Sequence, residues 1–413
     1  MSDKIAVIGA GAIGILVARK LQRDGREVLL LDPEPPAMQC SFGSASYISV
    51  EDVLPLSNLG TLRQVPHMLL HRLAPLSIRW RDIVYLLPWF LRFTAACRPS
   101  QMEKGSRTLA ALMARAKGAW LDEIEYSGLR RFLKEKGMFW LYESSRSYRA
   151  EADGRKAMRR FGVDFQEMSA AETRGMVPGL RPDIHSACFV LDGVHATDPH
   201  RLSRAVFDAF IEDGGEFRQQ AVSAVTMAGG KVLSVSTPAG EISVSAAVIA
   251  AGQASRRLAG ALSIKVPVVA DRGYHVMLKG ADARFEMPVG STTRGIILTP
   301  MQDGVRVAGT SEFARQGRPE TWARADEVLA HARALFPELG GEESSRWMGE
   351  RPTLPDYLPM IGRAPETENL YLACGHQHIG LTLAAVTGEI IAALVAGRDS
   401  GVDMVPLSVE RFG

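Results

Sequence analysis

Several groups of residues in this 413-residue chain have the types and spacing to do chemistry. Gly9-Ala10-Gly11-Ala12-Ile13-Gly14 is a G-x-G-x-x-G turn, and Asp32 follows roughly 20 residues on. Gly9 makes the tight turn, Gly11 lets backbone approach a pyrophosphate, and Gly14 lets helix and strand pack closely. Asp32 can accept from a ribose hydroxyl. Near the other end, Gly375-His376-Gln377-His378-Ile379-Gly380 is a second glycine-bounded turn. Arg351 stands in Gly349-Glu350-Arg351-Pro352. An arginine fixed between glycine and proline can clamp a carboxylate bidentately, or it can form a surface salt bridge. His378 is a loop histidine, structural or ligand-facing. Tyr274 and His275 alternate along a strand, so only one of them can face a pocket. Tyr274 can hydrogen-bond a substrate carboxylate or serve as a core tyrosine.

These residues need particular elements beneath them. Ile5–Ile8 reads as a buried strand, residues 13–22 as a helix closed by Gly25, and residues 27–31 as a second strand delivering Asp32. Together they form a βαβ unit whose helix N-terminus offers free N–H groups to phosphates. The segment after Asp32 is rich in proline and small residues. Ser41 and Ser44 to Tyr47 can therefore pass close to a flat ligand. Residues 246–251 form another buried strand, ending at Gly252. Residues 369–373, the second glycine turn and a helix over 382–395 repeat the N-terminal logic. If the ligand there is an isoalloxazine, the positive helix end faces the C2 carbonyl and N1, where the reduced ring is negative.

Between these ends, helices are expected over 101–131, 147–161, 199–213 and 320–336. Strands are expected over 137–142, 187–191 and 216–225, with a hairpin over 231–244. Alternating runs at 264–274, 275–279, 295–299 and 305–310 predict an antiparallel sheet. Residues 347–363 read as irregular. Residues 54–97 are apolar with interspersed arginines, and Pro88 interrupts the run. They read as helices packing into a second domain, or as an interfacial patch with arginines at lipid headgroups.

The fold class expected is α/β with an α+β second domain: a Rossmann-like nucleotide-binding domain and an antiparallel-sheet substrate domain. The first takes residues 1–53, 192–262 and 346–413. The second takes 54–191 and 263–345, with the apolar insert at 54–98. Hydrophobic residues make up 46% and charged residues 23%, and net charge is +2, so nothing points to nucleic acid. The four cysteines show no C-x-x-C spacing, which predicts no metal site and a reducing compartment. The first strand begins at Ile5, so no signal peptide is expected. No run of 18 apolar residues suggests a membrane span. The expected location is cytoplasmic, peripheral on the inner face of the membrane if the insert is interfacial.

IAVIGAGAIG, VSAAVIAAG, GERPTLPDYLPMIGR and CGHQHIGLTLAAVTG, in that order, resemble the D-amino-acid oxidase superfamily of flavoenzymes. The resemblance covers nearly the whole chain. It is closest to the bacterial D-amino-acid dehydrogenases, whose insert resembles RLAPLSIRW and the stretch after it. It implies non-covalently bound FAD. By motif position Gly9, Gly11, Ala12, Ile13, Gly14, Asp32 and Pro33 hold the ADP half, and Val222 meets the adenine. Ser41, Ala45, Ser46 and Tyr47 pass the flavin, with Gly252 at the end of the middle strand. Gly375, His376, Ile379, Gly380, Leu381 and Thr382 close on the ring. Arg351 binds the substrate carboxylate, with Tyr274 and His378 beside it.

The chain departs from the dehydrogenase pattern at Ser44-Ala45-Ser46, where Asn-Ala-Gly is usual, and at Glu350, where leucine is usual; by the resemblance these sites line or border the pocket. Glycine oxidase has an arginine near the position of His378. The function implied is oxidation of a D-amino acid, or of a cyclic or secondary one, to an imine or oxo acid by hydride transfer to flavin N5. Related alternatives are a D-proline or hydroxy-D-proline dehydrogenase, or a glycine/sarcosine oxidase-like enzyme. A nicotinamide-dependent dehydrogenase fits Asp32 but not the second glycine turn. A non-catalytic FAD-binding electron-transfer partner is the remaining alternative. The expected partners are an amino-acid or amine substrate and a quinone or other electron acceptor.

Overall fold

The structure is a computed structural model that describes residues 3–70 and 74–412. Residues 71–73, within the predicted insert, lie outside the described residues. The first sheet has six strands in the order Glu216–Arg218, Val28–Leu31, Ile5–Ile8, Ala246–Ile249, Leu370–Cys374, Met360–Arg363. All pairs are parallel except the last. The central strands are continuous apolar runs because both faces are covered. Ile5, Val7, Val28 and Leu30 pack under the helices Ala12–Arg23 and Gly380–Val395. Ala6, Ile8, Leu29 and Leu31 pack against a small antiparallel sheet formed by residues 224–243. Gly388 lets the two helices touch: a Cβ there would lie 2.6 Å from the Leu16 carbonyl oxygen.

The second sheet is mostly antiparallel. From one edge its strands are Glu342–Thr353, Val269–Lys279, Gly304–Ala314, Ile296–Met301, Val289–Ser291, Met138–Tyr142, Ser186–Val190 and Phe165–Ser169. Leu76–Ile78 joins Gly304–Ala314 in parallel. One face presents Val276, Leu278, Ile296, Leu298, Val305 and Val307 to the helix Ala323–Leu335. By alternation and register, the other face carries Asp271, Gly273 and His275 beside Arg351, Gly349 and Trp347, with Arg306 and Thr299 further along. That polar face turns toward the first domain.

The predicted strand 216–225 is two pieces. Glu216–Arg218 extends the first sheet, and Ala224–Ala228 belongs to the small one. The runs 264–274 and 275–279 form one strand, Val269–Lys279. Residues expected to be irregular from 347 are strand up to Thr353, so the chain returns to the first sheet after that point. Pro352 pairs with Ala270 one residue from the end of this edge strand, where a proline interrupts a ladder on one side only.

In the insert, the helix Ile83–Ala96 buries Leu86, Trp89 and Phe93, which pack with Phe313 and Tyr357. Gln377–Val395 has the length and mean hydropathy (19 residues, 1.8) of a membrane span, against the expectation from apolar runs, but 67% of its most apolar window is buried within the protein. It is the core helix of the first domain.

Candidate active site

The N-terminal turn has the geometry its glycines predict. Gly9 has φ +112°, and a Cβ there would meet the Ala250 carbonyl oxygen at 2.5 Å. A Cβ on Gly14 would stand 1.7 Å from the Gly9 carbonyl oxygen, so only glycine lets helix and turn close. At Gly11 a Cβ would meet nothing within 4 Å, which leaves open space over the helix start at Ala12 and Ile13. That N-terminus has no side-chain cap and no acid in its first turn. Its free N–H groups and partial positive charge suit a pyrophosphate.

Asp32 is buried at the strand tip. Its two oxygens accept from the backbone N–H of Ala10 (2.6 Å) and of Glu34 (2.8 Å). Burial raises its pKa while these two bonds oppose the rise. Pro33 accepts from Gln219 through its carbonyl at 3.3 Å. Val222 is buried between the two pieces of the broken strand, and its carbonyl accepts from Arg257 at 3.3 Å. Gly252, at φ +53°, opens a short turn after the middle strand.

The C-terminal turn supplies a second uncapped helix N-terminus at Gly380, preceded by the buried Ile379. Gly375 has φ +75°, and a Cβ there would strike Leu354. His376 is buried and shares a 3.0 Å hydrogen bond with Thr387. The Leu381 carbonyl accepts from Trp120 at 2.8 Å. The Thr382 hydroxyl accepts from the Ser49 N–H at 3.1 Å, tying the loop after Asp32 to this helix start. In that loop Ser41 and Ser44 close a 3-10 turn, and Ser46 sits at φ +63° with its hydroxyl donating to the Ala196 carbonyl at 2.7 Å. The Ala45 carbonyl accepts from Thr299, and the Tyr47 hydroxyl donates to Glu51 at 2.8 Å.

Arg351 lies across from Asp271 in strand register. Its guanidinium lies flat over Gly273, where a Cβ would stand 2.0 Å from Nη2. Nη1 donates to the Thr310 carbonyl at 3.2 Å and lies 3.6 Å from Asp271. Thr310 is at φ +61° in a bulge of its strand, which aims this carbonyl at the arginine. Asp271 is buried and also accepts from Ser311. Gln253, from the turn after the middle strand, donates to the Arg351 carbonyl at 2.9 Å. A bridge between Thr353 and His376 brings the C-terminal turn alongside.

His378 is accessible yet walled by protein. Burial, then the Arg351 charge, lowers its pKa to about 4, so it is a neutral hydrogen-bonding group at neutral pH. Cys40 feels the charges of Arg351 and Asp271, and burial pushes its thiol up to about 11, which keeps it protonated.

Two sequence expectations fail here for one reason. Tyr274 does not reach the site: its hydroxyl donates to Glu312 at 2.9 Å and accepts from the Thr321 N–H at 3.0 Å. It stands on the opposite sheet face from Asp271 and Arg351, and His275 takes the site-facing position. Glu350 does not border the pocket through its side chain, which pairs with Arg272 at 2.8 Å on that same far face. Asp271, Gly273 and Gln253 were missed. Period-2 alternation from His275 would have found Asp271 and Gly273.

Two unblocked helix starts, an acid at the second strand tip and glycines that clear a path between them define a protein that binds an extended dinucleotide. The fixed arginine beyond its far end can offer paired N–H groups to a small anion such as a carboxylate. The chain belongs to the DAO family, described as FAD dependent oxidoreductase, whose match spans residues 4–394. A D-amino-acid oxidase of Bradyrhizobium diazoefficiens is 30% identical over 99% of this chain and 98% of its own. A D-amino acid dehydrogenase of Paramagnetospirillum magneticum is 31% identical over 99% of each. The fold matches glycine oxidase from Geobacillus kaustophilus (TM-score 0.79, 20% identity, 99% of each chain). It also matches L-proline dehydrogenase from P. horikoshii (TM-score 0.78, 19% identity, 100% of this chain and 98% of that one). The protein is an FAD-dependent oxidoreductase acting on amino acids.

Proposed function

We propose that this chain oxidises a D-α-amino acid, with Arg351 holding the α-carboxylate. The observation that carries the reading is the Arg351 guanidinium, laid over Gly273 and pinned on Nη1 by Thr310 and Asp271, with Nε and Nη2 bonded to none of the described residues and so able to meet a carboxylate. The D-amino-acid names of the relatives support the handedness. Bound FAD supplies a two-electron acceptor for the hydrogen on the substrate α-carbon. The protein's part is placement: Arg351 fixes one end of the substrate, and the loop of Cys40–Gly43 and the turn of His376–Gly380 flank it. Asp271 offsets part of the arginine's charge. His378, being neutral, adds no second cation that would hold a product acid. Oxidation leaves an imine, which water hydrolyses to an oxo acid with release of ammonia. Turnover of a panel of D- and L-amino acids with an artificial dye acceptor tests this reading. D-isomers should yield one oxo acid per two electrons, and turnover of L-isomers alone would refute the handedness.

A second reading takes a cyclic secondary amine such as D-proline or its hydroxylated form. His378 favours it, because a neutral imidazole at the pocket wall can bond a ring hydroxyl. These compounds belong in the same panel.

The electron acceptor in our reading is a membrane quinone, reached by peripheral contact at the inner face of the cytoplasmic membrane. The support is the outer side of the insert helix. Val84, Leu87 and Leu91 on the helix are 85, 51 and 65% exposed, Trp80 in the turn just before it is 62% exposed with Arg81 over its ring, and Arg98 is exposed just past the helix end. The inner side of the same helix packs behind the site, where Trp89 donates to the Thr353 carbonyl at 3.1 Å. Flotation with liposomes containing anionic lipid should be lost in Val84→Glu/Leu87→Glu with dye-linked activity retained. Failure of the unmodified protein to float would remove the idea.

A further inference from the structure

The loop that passes the flavin is short of backbone partners of its own. Gly43, Ser44, Ala45 and Ser46 are small, and Ser46 is held in the left-handed region at φ +63°. Yet four consecutive carbonyls of this loop accept from the polar face of the second sheet. Arg306 Nη1 donates to Phe42 at 3.1 Å and to Ser44 at 3.0 Å. His275 Nδ1 bonds the Gly43 carbonyl at 3.1 Å, and Thr299 Oγ1 donates to Ala45 at 2.6 Å. A carbonyl partner requires a proton on Nδ1, so the His275 tautomer is fixed. Trp347 stacks on His275 at 5.6 Å and covers Gly43, where a Cβ would meet its ring at 1.9 Å.

We propose that Arg306, with His275 and Thr299, is the clamp by which the second domain positions the flavin, and that Arg306 is its principal positioning residue. The side chains belong to one domain and the loop to the other, so the bonds are not a by-product of local folding. Arg306 is 6% exposed and, among the described residues, has no ion pair within 4 Å, although the Asp198 charge acts on it from farther away. A buried guanidinium is costly unless its N–H groups are taken up; here two loop carbonyls take Nη1, while Nε is buried with no hydrogen-bond partner among the described residues. The negative ends of these peptide dipoles are thereby turned toward the second sheet and away from the cofactor side of the loop. A permanent cation also sits just behind that loop, where it favours a reduced cofactor carrying negative charge. Burial lowers the Arg306 pKa to about 10, which still leaves it charged at neutral pH.

The inference rests on FAD as the cofactor and not on the identity of the substrate, so each can fail alone. The test uses the full chain as holoenzyme in three variants: Arg306→Met, Arg306→Lys and the near-isosteric Thr299→Val. The readouts are the FAD dissociation constant of reconstituted apoprotein, the flavin midpoint potential, and apoprotein melting. Arg306→Met should weaken FAD binding by about tenfold or more, since hydrogen bonds from a charged group are lost, and move the potential to more negative values. Arg306→Lys, which keeps charge and donors, should restore most of both. Thr299→Val should weaken FAD binding by roughly fivefold with apoprotein melting unchanged, the loss expected for one neutral bond. If Arg306→Met does not fold, Thr299→Val carries the test. FAD affinity within twofold of the unmodified protein with an unshifted potential in Arg306→Met, or FAD affinity within twofold in Thr299→Val where the Met variant does not fold, would overturn the proposal. A fall in apoprotein melting with unchanged FAD affinity would reduce the clamp to a structural contact and overturn it as well.

Discussion

Replacing Gly273 by alanine should disarm Arg351 while leaving the cofactor site alone. The added Cβ would stand 2.0 Å from Nη2, 2.4 Å from Cζ and 3.0 Å from Nε of Arg351. Non-bonded atoms settle at about 3.5 Å or more, so the guanidinium must lift by about 1.5 Å. It then leaves the Thr310 carbonyl at 3.2 Å and the Asp271 carboxylate at 3.6 Å, which together set its plane. Gly273 is not among the residues with positive φ, so alanine fits the backbone and the effect falls on the arginine. Losing one charged hydrogen-bonding arrangement to the substrate carboxylate costs about 1.5–3 kcal/mol, or roughly 10- to 150-fold in affinity. The carboxylate is held in ground state and transition state alike, so KM should rise more than kcat falls. The assay is anaerobic titration of the flavin band with a carboxylate ligand that is not oxidised, in protein of verified FAD content. A Gly273→Ala/Arg351→Ala double variant should bind no worse than Arg351→Ala. Unchanged ligand affinity in Gly273→Ala, or additive losses in the double variant, would refute the reasoning.

Other outcomes follow from the same geometry. Gly388→Ala should lower the denaturation midpoint, because its Cβ would lie 2.6 Å from the Leu16 carbonyl oxygen and overpacking of this kind costs about 1–3 kcal/mol. Asp32→Asn, which keeps one oxygen acceptor but loses the charge, should weaken FAD binding about tenfold, read by reconstitution of apoprotein. His195, His275 and His376 are buried, and burial lowers their pKa values to about 4, 3 and 3. Their folded values lie below the unfolded value of about 6.5, so the unfolded chain takes up protons first. Above about pH 6.5 they contribute no pH dependence. As pH falls from about 6.5 toward 4, stability should drop by about 1 kcal/mol per pH unit for each, read by urea denaturation of apoprotein. A midpoint flat between pH 6.5 and 4.5 would contradict their neutral burial.

The parts of the fold that were legible in sequence are those set by local pattern. The N-terminal βαβ unit could be read because its glycines, helix period and terminal acid all lie within about thirty residues. The C-terminal unit was readable for the same reason. The misreadings needed information from across the sheet. The strand Val269–Lys279 is paired on both sides, and only its register against Glu342–Thr353 shows that Asp271 meets Arg351. Tyr274 carries the more suggestive side chain, but alternation places it with Val276 and Leu278 on the face under the helix Ala323–Leu335. The segment around Pro352 looked irregular because proline usually ends a strand, and an edge position removes that objection. The clamp on residues 42–45 joins positions more than 200 apart in sequence and could not be read from spacing at all. In the insert, one stripe of the helix packs inward, as the packing reading expects, and another remains exposed.

The central claim is that this site takes electrons from an amino acid held by Arg351. It is tested most directly by mixing oxygen-free holoenzyme with D-amino acids, their L-isomers, and D-proline with its hydroxylated forms, while following the flavin band. The account predicts rapid bleaching by members of the D-series. It also predicts that Arg351→Ala needs roughly 100-fold more substrate for the same rate while retaining its FAD. No bleaching by any of these compounds in FAD-saturated protein, or bleaching that is indifferent to Arg351→Ala, would contradict it.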